Sequence, residues 1–217
     1  MAAIYDHHCE AYRRQWDLAN VNRWNGAYYY SVEIVRNIIP AVKTERPWVT
    51  INAPGQCEDG AIVFIHNNLH PERYDWLKEY KDLVLVCGIG ETVNRVKHLG
   101  TAIYLPLSID VAEVEAHKKD KKDIKTAFIG RRAKRKGIQF PPGTVFLEAM
   151  DREHLLYHMA RCESVYCVGR TAIEAKVLGC KVLPYDPRFL NPKRWKVLDN
   201  KDAAGILQEK LDRIDRR

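Results

Sequence analysis

The sequence predicts an α/β protein made of two small lobes, each with a parallel sheet. Short, continuous apolar runs recur along the chain, and such runs are typical of strands buried on both faces. Segments with helical spacing lie between these runs, and glycine or proline marks their ends. The alternation stops at the charged segment 116–122 and then restarts. We therefore predict an N-terminal lobe over residues 1–116 and a C-terminal lobe over residues 117–217.

Each predicted element has a sequence signal of its own. Strands are predicted over residues 47–53, 61–65, 83–87 and 102–105, and over residues 124–129, 144–148, 164–168 and 181–185. Helices are predicted over residues 26–42, 71–80, 91–99, 151–160 and 201–214. Pro40 is expected to end the first helix, Pro71 to begin the second, and Asp151 to cap the fourth.

Composition restricts the class of protein. The chain has 217 residues, of which 46% are hydrophobic and 29% charged, which is ordinary globular usage. Because it has neither a long apolar run nor the apolar centre of a signal peptide, we expect a cytoplasmic protein without a membrane span. The six cysteines are scattered without a C-x-x-C pair, which favours buried free thiols over disulfides or zinc. The adjacent His7 and His8 have no further spaced ligand, so no metal site is predicted.

The positive charge favours phosphorylated or polyanionic partners. The formal net charge is +7, and two segments hold most of the excess. Residues 118–122 carry Asp120 between lysines and are interpreted as a solvated hinge. Residues 131–136 directly follow a predicted strand, where arginine and lysine side chains suit a diphosphate. Two alternatives stay open for this segment, namely a solvated basic loop and a surface that binds the phosphate backbone of nucleic acid.

Residues 169–183 form the second candidate site. A predicted strand leads into Gly169, a helical run follows, and Gly179 closes it before the next strand. Such a glycine turn exposes backbone N–H groups at a helix N-terminus, which favours anions. Glu174 lies in this helix and is a candidate acceptor for the hydroxyl groups of a ligand. The alternative is an ordinary βαβ unit with a solvated glutamate.

Three segments, in this order, resemble the nucleotide-sugar domain of GT-B glycosyltransferases. The basic loop from Gly130 to Gly137 is similar to the loop that opens that domain, and residues 145–156 are similar to a later strand and helix. Glu174-Ala175 with Gly179 is similar to the family's E-A-x-x-x-G-x-P-V stretch. Tyr166 stands where many retaining members carry a second glutamate, and Lys181 stands where the stretch has proline.

The resemblance implies two facing Rossmann-like lobes and a nucleoside-diphosphate sugar donor, with a UDP-sugar favoured and no metal required. By this likeness, the substrate-binding residues are Arg131, Lys136, Gly169, Arg170, Thr171 and Glu174. The two basic side chains of the loop would neutralise the diphosphate, and Glu174 would bind the ribose hydroxyls. His66, at the carboxyl end of a strand, is the first candidate for a catalytic base, and Asp110 and Glu91 are weaker candidates.

Two other functions stay open on the sequence alone. One is a nucleotide-sugar binding protein without catalysis. The other is a protein that binds nucleic acid, including a DNA-modifying glycosyltransferase of viral type, because the chain is basic. The acceptor, the sugar, the stereochemical outcome and the oligomeric state have no signal in the sequence.

Overall fold

The structure is a computed structural model that describes residues 30–31, 33–50, 57–65, 71–130, 137–148 and 150–216. His66, Arg131 and Lys136 lie outside the described residues, as do His7 and His8. The chain forms two compact units. Unit 1 takes the described residues up to 107 together with residues 200–216, and unit 2 takes residues 108–199.

Unit 1 contains a four-stranded parallel sheet. Its strands are β1 (Trp48–Val49), β2 (Ile62–Ile65), β3 (Val84–Cys87) and β4 (Thr101–Tyr104), and they lie in that order. All four residues of β2 and all four of β3 are buried. This burial confirms that the continuous apolar runs form strands covered on both faces.

The segments between these strands differ in part from the prediction. The helix after β3 is α1 (Gly90–Val96), which is close to the predicted range. Residues Pro71–Glu79 form a helix of the 3-10 type, which matches the range predicted for a helix. Near the N-terminal end of the described chain, Ile34–Ile38 form π-helical turns, and the 3-10 turn Ile39–Ala41 follows. Pro40 is accommodated in that closing turn because its missing N–H is not needed there.

Unit 2 contains a second four-stranded parallel sheet, which confirms the α/β class. Its strands are β5 (Ile124–Ile129), β6 (Val145–Leu147), β7 (Cys162–Tyr166) and β8 (Lys181–Leu183), arranged in the order β6-β5-β7-β8. Its α-helices are α2 (Val111–Glu115), α3 (Arg152–Ala160) and α4 (Arg170–Val177), and two short 3-10 helices follow at Pro187–Phe189 and Pro192–Arg194. Asp151 caps α3 as predicted, since its carboxylate accepts a hydrogen bond of 2.8 Å from His154 N.

The units divide between residues 107 and 108, nine residues before the predicted boundary. The charged segment 116–122 therefore lies inside unit 2. One reason is that Lys122 packs within this unit, where its Nζ donates to the carbonyl oxygens of Ala160 and Leu178 at 2.6 Å each. A lysine run that looks solvated in sequence thus contains one residue with a fixed position.

The last helix, α5 (Asn200–Asp215), belongs to unit 1 and not to the C-terminal lobe in which the sequence placed it. Leu207 and Leu211 are buried. Asn200 Nδ2 donates to Glu33 Oε2 at 2.9 Å, and both side chains are buried. The sequence shows an amphipathic helix, but only the fold shows that it packs in unit 1, against the helical turns of residues 34–41.

Five cysteines are described, and all of them are free and buried, as predicted: Cys57, Cys87, Cys162, Cys167 and Cys180. Burial raises the pKa of Cys57 to about 11 and that of Cys87 to about 12. These thiols are therefore protonated and unreactive near neutral pH. Within the described part of the chain, no helix has the length and apolar character needed to cross a bilayer.

Candidate functional site

The strand order of unit 2 creates a point where the chain reverses direction across the sheet. The connection from β5 leads to β6 on one side, whereas the chain after β7 continues to β8 on the other side. β5 and β7 are neighbours, with Phe128 opposite Tyr166. In open parallel sheets, ligands bind at the carboxyl ends of the two strands that flank such a switch point. Gly130 and Gly169 follow those two strand ends, so both predicted segments begin at the same edge of the sheet.

Gly169 shapes one side of this edge. Its backbone has φ 69° and ψ −141°, a conformation that side-chain-bearing residues rarely adopt. It is the N-cap residue of α4 and offers no side chain to the first turn, while Ala172 N and Ile173 N donate to its carbonyl oxygen. The sequence prediction of a glycine turn opening a helix is confirmed. The positive end of the helix dipole therefore lies at the switch point, next to Arg170 and Thr171.

A buried cluster of ionic side chains lies along the first turns of α3 and α4. Arg152 and Arg170 are the first residues of these helices. Arg152 Nη1 lies 2.5 Å from Glu174 Oε1, and Arg170 Nη2 lies 3.4 Å from the same oxygen. The side chains of Arg152, Glu174 and Arg170 are 10%, 4% and 8% exposed. Arg152 Nε also donates to Glu113 Oε1 at 3.2 Å, which extends the cluster to α2.

Glu174 is ionised in this environment. Burial raises its pKa, but the charges of Arg152 and Arg170 and the hydrogen bond from Arg152 more than offset burial, so its pKa lies below the ordinary value. The alternative of a solvated glutamate is wrong, because this side chain is buried. Among the described residues, both contacts to its carboxylate fall on Oε1. Whether Glu174 binds ligand hydroxyls stays a prediction.

Arg152 was missed at the sequence level, although a signal was present. An arginine in the first turn of a helix opposes the helix dipole, which favours acidic residues there. Two helices of unit 2 begin in this unfavourable way, at Arg152 and at Arg170. A nearby anion offsets this unfavourable effect, and Glu174 supplies one for both arginines.

Five aromatic side chains form a cluster on one face of the unit 2 sheet. Phe146 and Tyr166 are the register partners of Phe128, so the three share a face. Phe140 lies on them, with ring centroids 5.1 Å from Phe128 and 5.1 Å from Tyr166, and Tyr185 lies 5.1 Å from Phe128. In the sequence, Phe128 comes before the basic segment and Phe140 after it. Burial raises the pKa of Tyr185 to about 12, so its hydroxyl is neutral.

Asp110, one of the weaker catalytic candidates, serves as a helix cap. Its Oδ1 accepts a hydrogen bond of 2.9 Å from Glu113 N at the start of α2. It belongs to unit 2 and not to the first lobe, where the sequence placed it. Its catalytic role stays a prediction. No group of three or more histidine, cysteine, aspartate or glutamate side chains suited to a metal ion occurs among the residues that the structure describes.

Comparisons with known proteins add no family. Neither a protein-family model, nor a curated protein sequence, nor a solved structure matches this chain.

Proposed function

We propose that unit 2 binds a nucleoside-diphosphate sugar, with a UDP-sugar favoured, and that the protein is a glycosyltransferase of the GT-B type. The observation that carries the proposal is the switch point between β5 and β7. Gly130, which leads into the basic segment, and Gly169, which opens α4, both lie at this edge. Parallel sheets use such an edge for nucleotides, and a helix N-terminus there favours phosphate groups.

The chemistry of the proposal rests on positive charge. The diphosphate would lie at the start of α4, where the helix dipole and Arg170 stabilise its charge. Arg131 and Lys136, from the segment that leaves Gly130, would neutralise the diphosphate further as the bond to the sugar breaks. His66 is proposed to accept the proton of the attacking hydroxyl group.

The test is a calorimetric titration of the full chain with inorganic pyrophosphate, UDP and UDP-sugars. We expect UDP to bind, and a saturating concentration of about 100 times its dissociation constant to stabilise the protein by about 2.7 kcal/mol. An Arg131→Met variant should lose roughly tenfold or more in affinity, since charge-assisted hydrogen bonds to phosphate are among the strongest.

The matched control is Arg161→Met. Arg161 lies at the opposite, amino edge of the same sheet, where it pairs with Asp123 at 2.5 Å. The Arg161→Met substitution removes one positive charge from unit 2, as Arg131→Met does. The affinity of this control variant for UDP should therefore stay close to that of the wild type. If neither pyrophosphate nor any nucleotide binds to the wild type, the proposed site is refuted.

A second candidate is a nucleotide-sugar binding protein without catalysis. The observation in its favour is that Tyr166, at the position where many retaining enzymes of the resembled family have glutamate, packs its ring 5.1 Å from Phe140. Because residue 166 is tyrosine, this chain has no carboxylate at the position of that second glutamate. Tight binding of UDP-sugars with no release of UDP, over hours and with a panel of acceptors, would favour this candidate over the transferase.

A further inference from the structure

Residues 187–197, which follow β8, combine exposed apolar side chains with basic ones. Leu190 and Val197 have the two most exposed large apolar side chains among the described residues, at 63% and 47%. The segment also contains two arginines and two lysines and has no acidic residue. Single exposed apolar residues are common on protein surfaces, whereas apolar residues grouped within a polar rim mark interaction sites.

The two ends of this segment lie against each other. Trp195 is buried, and the centroid of its ring lies 5.5 Å from that of Phe189. Leu190 directly follows the phenylalanine, and Val197 lies two residues after the tryptophan. The ring contact therefore brings the two exposed apolar residues into the same region of the surface.

Hydrogen bonds fix the backbone of the segment. Lys176, in the last turn of α4, donates from Nζ to the carbonyl oxygen of Pro192 at 2.7 Å and to that of Trp195. Asp186 caps the first 3-10 helix of the segment, and Asn191 caps the second. Because these bonds and the buried tryptophan hold the backbone, the exposure of the two apolar side chains is a property of the fold.

The aromatic rings of the segment are poorly placed to stack with nucleobases. The Cζ atom of Arg194 lies 5.1 Å from the ring centroid of Phe189 and 5.3 Å from that of Trp195. Proteins that hold single-stranded nucleic acids use open aromatic faces, whereas here an arginine lies over both rings and the tryptophan is buried. Exposed aliphatic side chains suit the hydrocarbon of a bilayer, and lysines near them suit anionic headgroups.

We propose that residues 187–197 dock the protein on the surface of an anionic membrane. Leu190 and Val197 enter the boundary between headgroups and acyl chains, and the exposed Lys193 and Lys196 lie among the lipid phosphates. This interface is peripheral and needs no helix that spans the bilayer. The inference does not rest on the proposed function, because no residue of the segment belongs to the proposed nucleotide-sugar site.

The test is sedimentation of the full chain with two kinds of vesicle. One contains phosphatidylcholine alone, and in the other about one third of the lipid is phosphatidylglycerol. We expect the protein to bind the anionic vesicles more tightly by roughly tenfold or more, because each lysine near anionic headgroups contributes about fivefold. A variant with both Lys193→Gln and Lys196→Gln should lose most of this preference.

Leu190→Ser tests whether the segment enters the bilayer. This substitution leaves every charge in place and should weaken binding to anionic vesicles by roughly tenfold, the effect of withdrawing most of a leucine side chain from an apolar environment. Because Leu190 is exposed, the variant should fold like the wild type, which circular dichroism checks. In a second measurement, brominated lipids should quench the fluorescence of Leu190→Trp more strongly than that of the wild type.

Two matched controls separate the segment from general surface effects. A variant with Lys118→Gln and Lys121→Gln removes two positive charges from exposed positions of unit 2. Val145→Ser removes an apolar side chain of β6 that is 40% exposed. Both variants should bind anionic vesicles within about threefold of the wild type, because salt screens charges that lie away from the docked surface.

Three results would overturn the inference. One is a wild type that binds neither kind of vesicle or binds both equally. Another is a Leu190→Ser variant that binds anionic vesicles as tightly as the wild type, which would mean that charge acts without insertion. The third is a protein that binds duplex DNA through Lys193 and Lys196 but binds no vesicles, which would assign the segment to nucleic acid. The titration with UDP decides the proposed function separately.

Discussion

At the scale of single residues, Gly169 is the position whose identity the backbone fixes most clearly. Its φ of 69° and ψ of −141° lie in a region that is open almost only to glycine. A Cβ atom added at this position would meet no atom of the described residues within 4 Å. Among those residues, the backbone conformation and not packing is therefore what requires glycine here.

We predict that Gly169→Ala lowers the free energy of unfolding by about 1–3 kcal/mol, because alanine must adopt a strained conformation. Urea unfolding of the purified variant measures this. Gly205→Ala is the matched control, since Gly205 lies within α5 and its added Cβ would also meet nothing within 4 Å. That control should stabilise the protein by about 0.5–1 kcal/mol. Equal effects at the two positions would contradict the conformational explanation.

The ion cluster shows the same dependence on surroundings. A solvated position was the sequence alternative for Glu174, and Arg152 was not among the predicted site residues. In the structure these two residues and Arg170 are buried together. Burial of the carboxylate is tolerated because the two guanidinium groups keep its pKa low. The stability that the paired Glu174 carboxylate contributes is fully present at pH values above the ordinary glutamate pKa of about 4.3. This contribution is lost as the pH falls through the lower pKa that Glu174 has in the folded state.

At the scale of elements, the ends of α3 and α4 are joined by a single lysine. Ala160 is the last residue of α3 and Leu178 is the C-cap of α4. Lys122 Nζ donates to the carbonyl oxygens of both residues. A cation at the carboxyl ends of two helices also interacts favourably with both helix dipoles. One side chain thus fixes the two helices that follow β6 and β7.

We predict that Lys122→Met destabilises unit 2 by about 2 kcal/mol, because two carbonyl oxygens lose a charged donor. Hydrogen exchange at the amides of the last turns of α3 and α4 should also become faster. Lys121→Met is the control in the adjacent, exposed position, and it should change stability by less than about 0.5 kcal/mol. If both variants behave alike, the role assigned to Lys122 is wrong.

At the scale of the whole molecule, the chain leaves unit 1 after residue 107 and returns to it at residue 200. Unit 1 is therefore completed only by the last helix of the chain. Ala203, Ala204, Leu207 and Leu211 form the buried stripe of α5. The stability of unit 1 consequently depends on residues at the other end of the sequence, which pack against the helical turns of residues 34–41.

We predict that Leu207→Ala destabilises unit 1 by about 2–5 kcal/mol, the usual cost of truncating a buried leucine. Hydrogen exchange should accelerate in β1 to β4 and stay unchanged in β5 to β8, since α5 belongs to unit 1. Glu209→Ala, an exposed position on the same helix, is the control and should have little effect. Faster exchange confined to the unit 2 sheet would contradict this division of the chain.

Much of the local structure followed from the sequence. The short apolar and β-branched runs identified the eight strands of the described residues to within a few residues, and the pattern is clearest for β2 and β3, which are fully buried. Asp151 was recognised as a cap and Gly169 as a turn, since both depend on local backbone chemistry. The sequence also indicated the two segments of the candidate site, although the basic one lies outside the described residues.

Only the tertiary structure decided how these parts are arranged. Strand order is a property of non-local pairing, so the switch point between β5 and β7 was not readable from local patterns. The partners of Glu174 come from two helices, and Arg152 is 22 residues away in sequence. The unit to which α5 belongs was equally undetermined, because an apolar stripe shows that a helix packs but not against which part of the chain. Local residues therefore determined the elements, while contacts between distant residues determined the site.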